Sequence, residues 1–362
     1  MVNLSLFWTR KRAIADADDI NEAGGRAYAM SDQHALAQYA ATGCLSRTFY
    51  ATDKDQLDKV RELAAKVDAA FLAKTAVYAR EQGFMKDMPA LLLAELASRD
   101  GVLLERVFDR VCDNGKMLRN FVQIVRSGAT GRRSLGSRPK RLVQRWLDQR
   151  SDAQIFAASV GNDPSLADVL KMVHPKPATA SRRALYGYLL GRPYDVAALP
   201  ACAQAYEDLK AGRTAEVPDV PFQMLTSLTL DSKGWRSIAA RGGWQMIRMN
   251  LNTFLRHGVF DDIALTKKIA AKLASPTEVR KAKVFPYQLM VAHAQAEREV
   301  PRMIKEALHD AMEAAIENVP EVEGKVYVMP DVSGSMHSPV TGARPGQTTA
   351  VRCVDVAALV AA

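Results

Sequence analysis

The sequence predicts a mostly α-helical protein, an array of short amphipathic helices followed by the opening of an α/β unit. Three observations predict it. Up to about residue 318, apolar residues return at helical spacing in runs of one to four turns, and the links between runs are short and carry Gly or Pro. The chain of 362 residues is 48% hydrophobic and 25% charged, which gives enough apolar surface to offset the entropy of ordering it. At Gly324 the character changes to a β-type run, a Ser/Gly-rich turn and one more helical stretch.

The elements follow in order. Asp53 can cap a long helix through Leu57, Val60, Leu63, Ala64, Val67, Phe71 and Leu72. Met88 to Ala97 is a second, with Gly101 just beyond, and 138–148 is another. Asp163 and Pro164 read as a cap and a first helical residue, with Leu166, Val169, Leu170 and Val173 on one face and Pro175 closing the helix. Further helices are expected at about 178–190, 198–211, 235–256, 262–274, 285–297 and 301–318. The lengths suit stacked helical pairs, but no strict period is present, and an irregular α-domain fits the pattern as well. Lys325 to Met329 then reads as a strand, and Thr348 or Thr349 as the cap of a helix through Ala361. This divides the chain into a helical module over 1–320 and a second, α/β part over 324–362.

Several function classes fall away. No stretch approaches the roughly 18 apolar residues of a membrane span. The short apolar start, Met1 to Trp8, precedes Arg10, Lys11 and Arg12, the reverse of a secretory signal, so an intracellular, cytoplasmic protein is expected. Cys44, Cys112, Cys202 and Cys353 form no CxxC pair, and the six histidines show no metal-type spacing; buried free thiols are expected. No grouping of His and carboxylates suits acid–base or paired-metal work on phosphate, so no catalytic residue and no enzyme is expected.

The net charge of +9 is unevenly spread. Asn114 to Leu147 holds nine Lys or Arg and no acid, and Val169 to Tyr194 holds five more, again with none. Over 114–194 there are fifteen basic and four acidic residues, so the rest of the chain is slightly negative. Lys and Arg kept for solubility are normally mixed with acids, and a concentrated patch is the footprint of a polyanion partner. The candidates are Lys116, Arg119, Arg126, Arg132, Arg133, Arg138, Lys140, Arg141, Arg145, Lys171, His174 and Lys176. Arg138, Arg141 and Arg145 fall within about 60° on a helix, leaving Leu142, Val143, Trp146 and Leu147 for the core. Such a stripe is free to fork onto phosphate oxygens. Gly128 to Arg133 reads as a flexible basic loop. Lys171 and His174 lie about 60° apart near the end of helix 164–174. The Gly128–Gly131 spacing also occurs in KH domains, but these need strands beside the loop, and none is readable.

After the expected strand comes Asp331-Val332-Ser333-Gly334-Ser335-Met336. Three oxygen side chains at alternate positions can turn toward one point, and hard oxygens select Mg²⁺, Mn²⁺ or Ca²⁺. An Asp/Ser turn capping the next helix is the plainer reading. Between strand and helix the motif resembles the metal-ion-dependent adhesion site of a von Willebrand factor A domain. Few residues follow Ser335, so that domain is expected to be incomplete, the sequence to be part of a longer or split protein, and the cation to be weak or absent.

The segments GCLSRTFYA (43–51), FVQIVRSG (121–128), RPKRLVQRWL (138–147), VLKMVHPKP (169–177), the Trp235 to Phe254 stretch, VFPYQL (284–289) and PDVSGSM (330–336) together resemble the TROVE module family, that of the Ro autoantigen and its bacterial orthologues. The resemblance implies a ring of HEAT-like helical repeats closed by a von Willebrand A domain. It implies Y-type small RNA held outside the ring, misfolded RNA ends in the central hole, and exoribonucleases as partners. His174 matches the family histidine that contacts Y RNA. The function expected is a non-catalytic RNA-binding scaffold in RNA quality control, maturation or decay. A protein-interaction module, gripping an acidic partner and using the metal site as a bridge, is the alternative.

Overall fold

The computed structural model describes residues 18–20, 26–43, 45, 52–319, 321, 323–325, 327–340 and 351–362. The chain folds into two compact units, one made of Met1–Ser151 and Gly161–Pro177, the other of Asp152–Val160 and Ala178–Ala362. The described residues are overwhelmingly helical, and the one sheet among them is a short antiparallel pair, β1 (Asp19–Ile20) with β2 (Arg26–Ala27).

The first unit holds α1 (Asp32–Thr42), α2 (Asp53–Lys66), α3 (Ala69–Glu81), α4 (Asp87–Arg99), α5 (Gly101–Val111), α6 (Gly115–Ser127) and α7 (Ser137–Asp148). α8 (Asp152–Ala158) belongs to the second unit, and α9 (Leu166–Val173) returns to the first. Helices alternate between two layers: α1, α3, α5 and α7 follow one another in one, and α2, α4, α6 and α9 in the other. This is the stacked-pair arrangement that the helix lengths allowed. Leu91, Leu92, Leu93 and Leu96 of α4, Phe108 of α5, Phe121 of α6 and Trp146 of α7 fill the space between layers. Phe108 meets Phe121 edge to face at 5.3 Å, and the Trp146 indole donates to the Cys112 carbonyl at 2.5 Å. Cys112 is a buried thiol as expected, and its burial pushes its pKa up, whereas Cys202 and Cys353 are only half-buried.

Where the structure differs from the periodic reading, side-chain capping is the cause. The long helix expected from Asp53 to Leu72 is two, because Asp68 accepts the Phe71 amide at 2.8 Å and starts α3 afresh. Arg99 then donates to the Ala64 and Val67 carbonyls at 2.5 and 2.6 Å, which closes the end of α2. Thr52, paired with Asp55 in a capping box, starts α2 in place of Asp53. α9 begins after Ser165, whose capping box with Asp168 displaces the cap expected at Asp163. Cys44 and most of segment 43–51 lie outside the described residues.

The second unit continues with α10 (Ala180–Leu190), α11 (Ala201–Lys210), α12 (Phe222–Leu225), α13 (Ser232–Arg241), α14 (Trp244–Met249), α15 (Leu251–Arg256), α16 (Ile263–Ala274), α17 (Pro276–Ala282), α18 (Pro286–Gln295), α19 (Arg302–Ala314) and α20 (Cys353–Ala361). Its core gathers Trp235, Ile238, Trp244, Phe254, Leu273, Leu289, Ile304 and Leu308. The stretch expected as one helix over 235–256 is three. Gly242 and Gly243 separate the first two, with Met246 packed where a Gly242 side chain would stand, and Asn250 divides the rest. Residues 325 and 327–329 form no strand; Tyr327 and Met329 are exposed, and no partner strand among the described residues offers the backbone pairing that a strand requires. The last helix begins at Cys353, and Thr348 and Thr349 lie outside the described residues. No helix among the described residues is long and apolar enough to cross a membrane.

Candidate nucleic-acid interface

All twelve cation and histidine candidates lie in the first unit, on α6, α7, α9 and their links. α9 packs against both α6 and α7. Arg126, in the last turn of α6, donates to the Met172 sulfur of α9 at 2.9 Å. From α7, Gln144 donates to the Val173 carbonyl at 2.6 Å and reaches the His174 carbonyl at 3.4 Å. The end of α9 is thus held between the two helices. Lys140 stands one turn before Gln144, on the same side of α7. Arg126, Lys140, Lys171, His174 and Lys176 therefore converge, and all are exposed or half-exposed. Lys140, Lys171 and Lys176 form no ion pair among the described residues, although the charge of Lys171 reaches Asp168, one turn earlier on α9.

His174 does not continue the helix face that the sequence suggested. It is the capping residue of α9, with φ 49° and ψ 60°, and its amide donates to the Leu170 carbonyl at 3.0 Å. The left-handed backbone, unusual for a residue with a side chain, turns the exposed imidazole away from the helical stripe.

The arginine stripe of α7 is placed on another side, along α5. Arg145 forks onto Glu105 at 3.1 Å and Asp109 at 3.0 Å. Its charge is answered by the protein itself, which corrects the expectation of a free phosphate fork. The acids come from a helix forty residues upstream, outside the acid-free window, so counting along the chain could not find them. Arg138 lies over Gly101, its guanidinium occupying the place of a side chain there, and remains exposed. Arg141 is exposed without an acidic partner among the described residues.

Two more candidates have structural work. Arg132 donates to the Ala97 and Leu135 carbonyls, both at 2.8 Å. With a turn closed from Gly131 to Gly128 at 3.0 Å, this folds the loop expected to be flexible onto the end of α4. Arg133 stays exposed beside Gly128. Arg119 is buried, packs on Gly161, and its burial lowers its pKa. Lys116 is exposed at the start of α6. The surface that remains for a polyanion is Lys116, Arg126, Arg133, Arg138, Lys140, Arg141, Lys171, His174 and Lys176.

In the second unit the three oxygens of 331–335 do come together. Ser333 donates its amide to Asp331 Oδ1 at 2.8 Å and its hydroxyl to Oδ2 at 3.0 Å, and the Ser333 and Ser335 hydroxyls are 3.1 Å apart. The amide and hydroxyl bonds from Ser333 hold the Asp331 carboxyl below its usual pKa. One carboxylate and two hydroxyls fit one face of a hard cation's shell. No group of three His, Cys, Asp or Glu gathers among the described residues, so the motif stands alone there.

Residues 223–332 match the TROVE domain. That match lies wholly in the second unit and ends within the oxygen cluster, whereas the cations lie in the first. The chain is also similar to the RNA-binding protein RO60 of Deinococcus radiodurans, at 26% identity over 91% of this chain and 68% of that protein. A crystal structure of the RO (RSR) protein of Deinococcus radiodurans superposes with a TM-score of 0.56 at 22% identity, over 80% of this chain. The chain spans 65% of the length of that solved chain. The structural likeness carries the fold alone: a mostly helical architecture like that of the solved chain.

Proposed function

We propose that the protein is a non-catalytic RNA-binding scaffold that holds structured small RNA on the α6–α7–α9 surface. The observation that carries the reading is the convergence of Arg126, Lys140, Lys171, His174 and Lys176, none of them in an ion pair among the described residues. Cations in such a group neutralise phosphates and release counterions, so affinity falls steeply with salt. Helical RNA is then read by shape and 2′-hydroxyls. The TROVE match and the similarity to a protein named RNA-binding support the same reading. Within it, the RNA is of Y type or the end of a misfolded RNA. The setting is cytoplasmic quality control, maturation or decay, with an exoribonuclease as a partner. Asp331, Ser333 and Ser335 hold a divalent cation such as Mg²⁺, weakly, as part of a von Willebrand A site.

Gel-shift titration of purified protein with a small structured RNA tests the reading. Retention that weakens steeply between 50 and 200 mM salt is expected. Labelled RNA incubated with protein and Mg²⁺ is expected to stay intact. Retention indifferent to salt, or cleavage above buffer, removes the proposal. Calorimetric titration with Mn²⁺, against Asp331→Ala, tests the cation.

A further inference from the structure

The second unit carries an aromatic feature that the cation count does not include. α10 ends at Gly191, in the left-handed conformation, and the chain turns back through Arg192, Pro193 and Tyr194. The Arg192 amide donates to the Gly187 carbonyl at 2.9 Å. Gly187 is what lets the returning chain approach: a side chain there would meet Tyr194 Cβ at 2.8 Å and the Pro193 carbonyl at 3.2 Å. Tyr194 is therefore seated on the Gly187 face of α10. Arg183 stands one turn earlier on that same face.

The ring is fixed as well as displayed. Tyr194 meets Tyr188 edge to face, with centroids 5.7 Å apart. Tyr188 is itself locked, its hydroxyl donating to Glu207 at 2.6 Å and its ring packed near Phe156 at 6.1 Å. Tyr194 nonetheless remains 37% exposed. Arg183 and Arg192 are exposed and have no acidic partner among the described residues, whereas Arg182 beside them is paired with Asp152 at 2.5 Å. Of the nearest acids, Asp195 caps its own turn through the Ala197 amide.

A fixed, exposed ring on the helix face that carries Arg183, two residues from Arg192, with neither arginine in an ion pair among the described residues, has the chemistry of a stacking platform. Every base presents a π-face to an aromatic ring, and arginine takes the adjoining phosphates. We propose that Tyr194, with Arg183 and Arg192, docks an unpaired base of single-stranded RNA. The absence of acids over residues 178–194 favours a nucleic acid over an acidic protein, which would find the same cations but gain nothing from an aromatic face in particular. The inference rests on the RNA-binding reading and adds a single-stranded site in the other unit.

The test uses fluorescence anisotropy of the full chain with two probes, a 12-mer of uridine and a blunt RNA duplex. Tyr194→Ala is expected to weaken the oligonucleotide by roughly tenfold and to leave the duplex unchanged. Tyr194→Phe retains binding, because the ring and not the hydroxyl stacks, and Tyr194→Leu behaves as alanine does. Arg183→Gln with Arg192→Gln lowers the salt slope for the oligonucleotide by about 1.4. Circular dichroism checks that each variant is folded. Oligonucleotide affinity unchanged in Tyr194→Ala, or equally lost in Tyr194→Phe, overturns the inference. So does binding of poly-glutamate, lost on Tyr194→Ala, in place of the oligonucleotide. Wild-type protein that binds duplex but not oligonucleotide overturns this inference alone; protein that binds neither overturns the RNA-binding reading with it.

Discussion

Neutralising the α9 side of the cationic surface separates the arrangement in the fold from the arrangement in the sequence. The perturbation is Lys140→Gln, Lys171→Gln and Lys176→Gln together, three exposed or half-exposed side chains that form no ion pair among the described residues. Each phosphate neutralised contributes about 0.7 to 0.9 to the slope of log K against log salt. Losing three lowers that slope by about 2 to 3, and extrapolated from molar salt to 0.15 M this is roughly a hundredfold in affinity. The matched control is Arg145→Gln. Its guanidinium is already answered by Glu105 and Asp109, so the slope is expected to change by well under one. The two ion pairs are partly exposed to water, and their loss costs about 1 kcal/mol of stability. Filter binding of a small structured RNA from 50 to 400 mM salt gives both slopes. If the triple variant keeps the wild-type slope, or if Arg145→Gln loses as much per charge, the assignment of the α9 side as the phosphate surface is wrong.

Two further outcomes follow from single residues. His174→Gly removes a side chain from a left-handed backbone, which relieves about 1 kcal/mol and raises the melting temperature by about 2 °C. The same change is expected to weaken RNA retention. A lower melting temperature, or retention at the wild-type level, contradicts the role given to that residue. His293 of α18 lies 4.4 Å, ring to ring, from His309 of α19. Burial first, then His309 and Lys305, push its pKa below 6.5. The unfolded chain therefore binds the proton more readily, and stability falls as pH drops from about 6.5 through the lower folded value. Melting curves between pH 8 and 5 should show this loss, and His293→Gln should reduce it; an unchanged pH profile in the variant refutes the cause.

Helix existence and the identity of the basic segment were legible because both are local. Periodicity reports which side of a helix is apolar, and the composition of 114–147 reports charge. Helix boundaries were less so, since Asp68 and Ser165 act through single hydrogen bonds that compete with other capping choices nearby. The site was legible as a list of residues but not as a geometry. Helical angles put Arg138, Arg141 and Arg145 on one stripe, and nothing in that arithmetic says which neighbour the stripe faces. The fold turns Arg145 onto the acids of α5 and places Lys140, on the other side of α7, beside α9. His174 was found through a family resemblance, but its left-handed backbone depends on how α9 ends. Nothing in the sequence marks Tyr194, because an aromatic ring carries no charge and its seating depends on a glycine seven positions away.

The chain enters the second unit at Asp152, goes back to the first at Gly161 and leaves it again after Pro177. The helix that completes the proposed phosphate surface is therefore synthesised only after part of the second unit has been made. On a ribosome, the first unit stays short of α9 until Pro177 has emerged from the exit tunnel. A protease cut anywhere between Ser151 and Gly161 would sever α9 from α6 and α7 in sequence while leaving every one of the three intact.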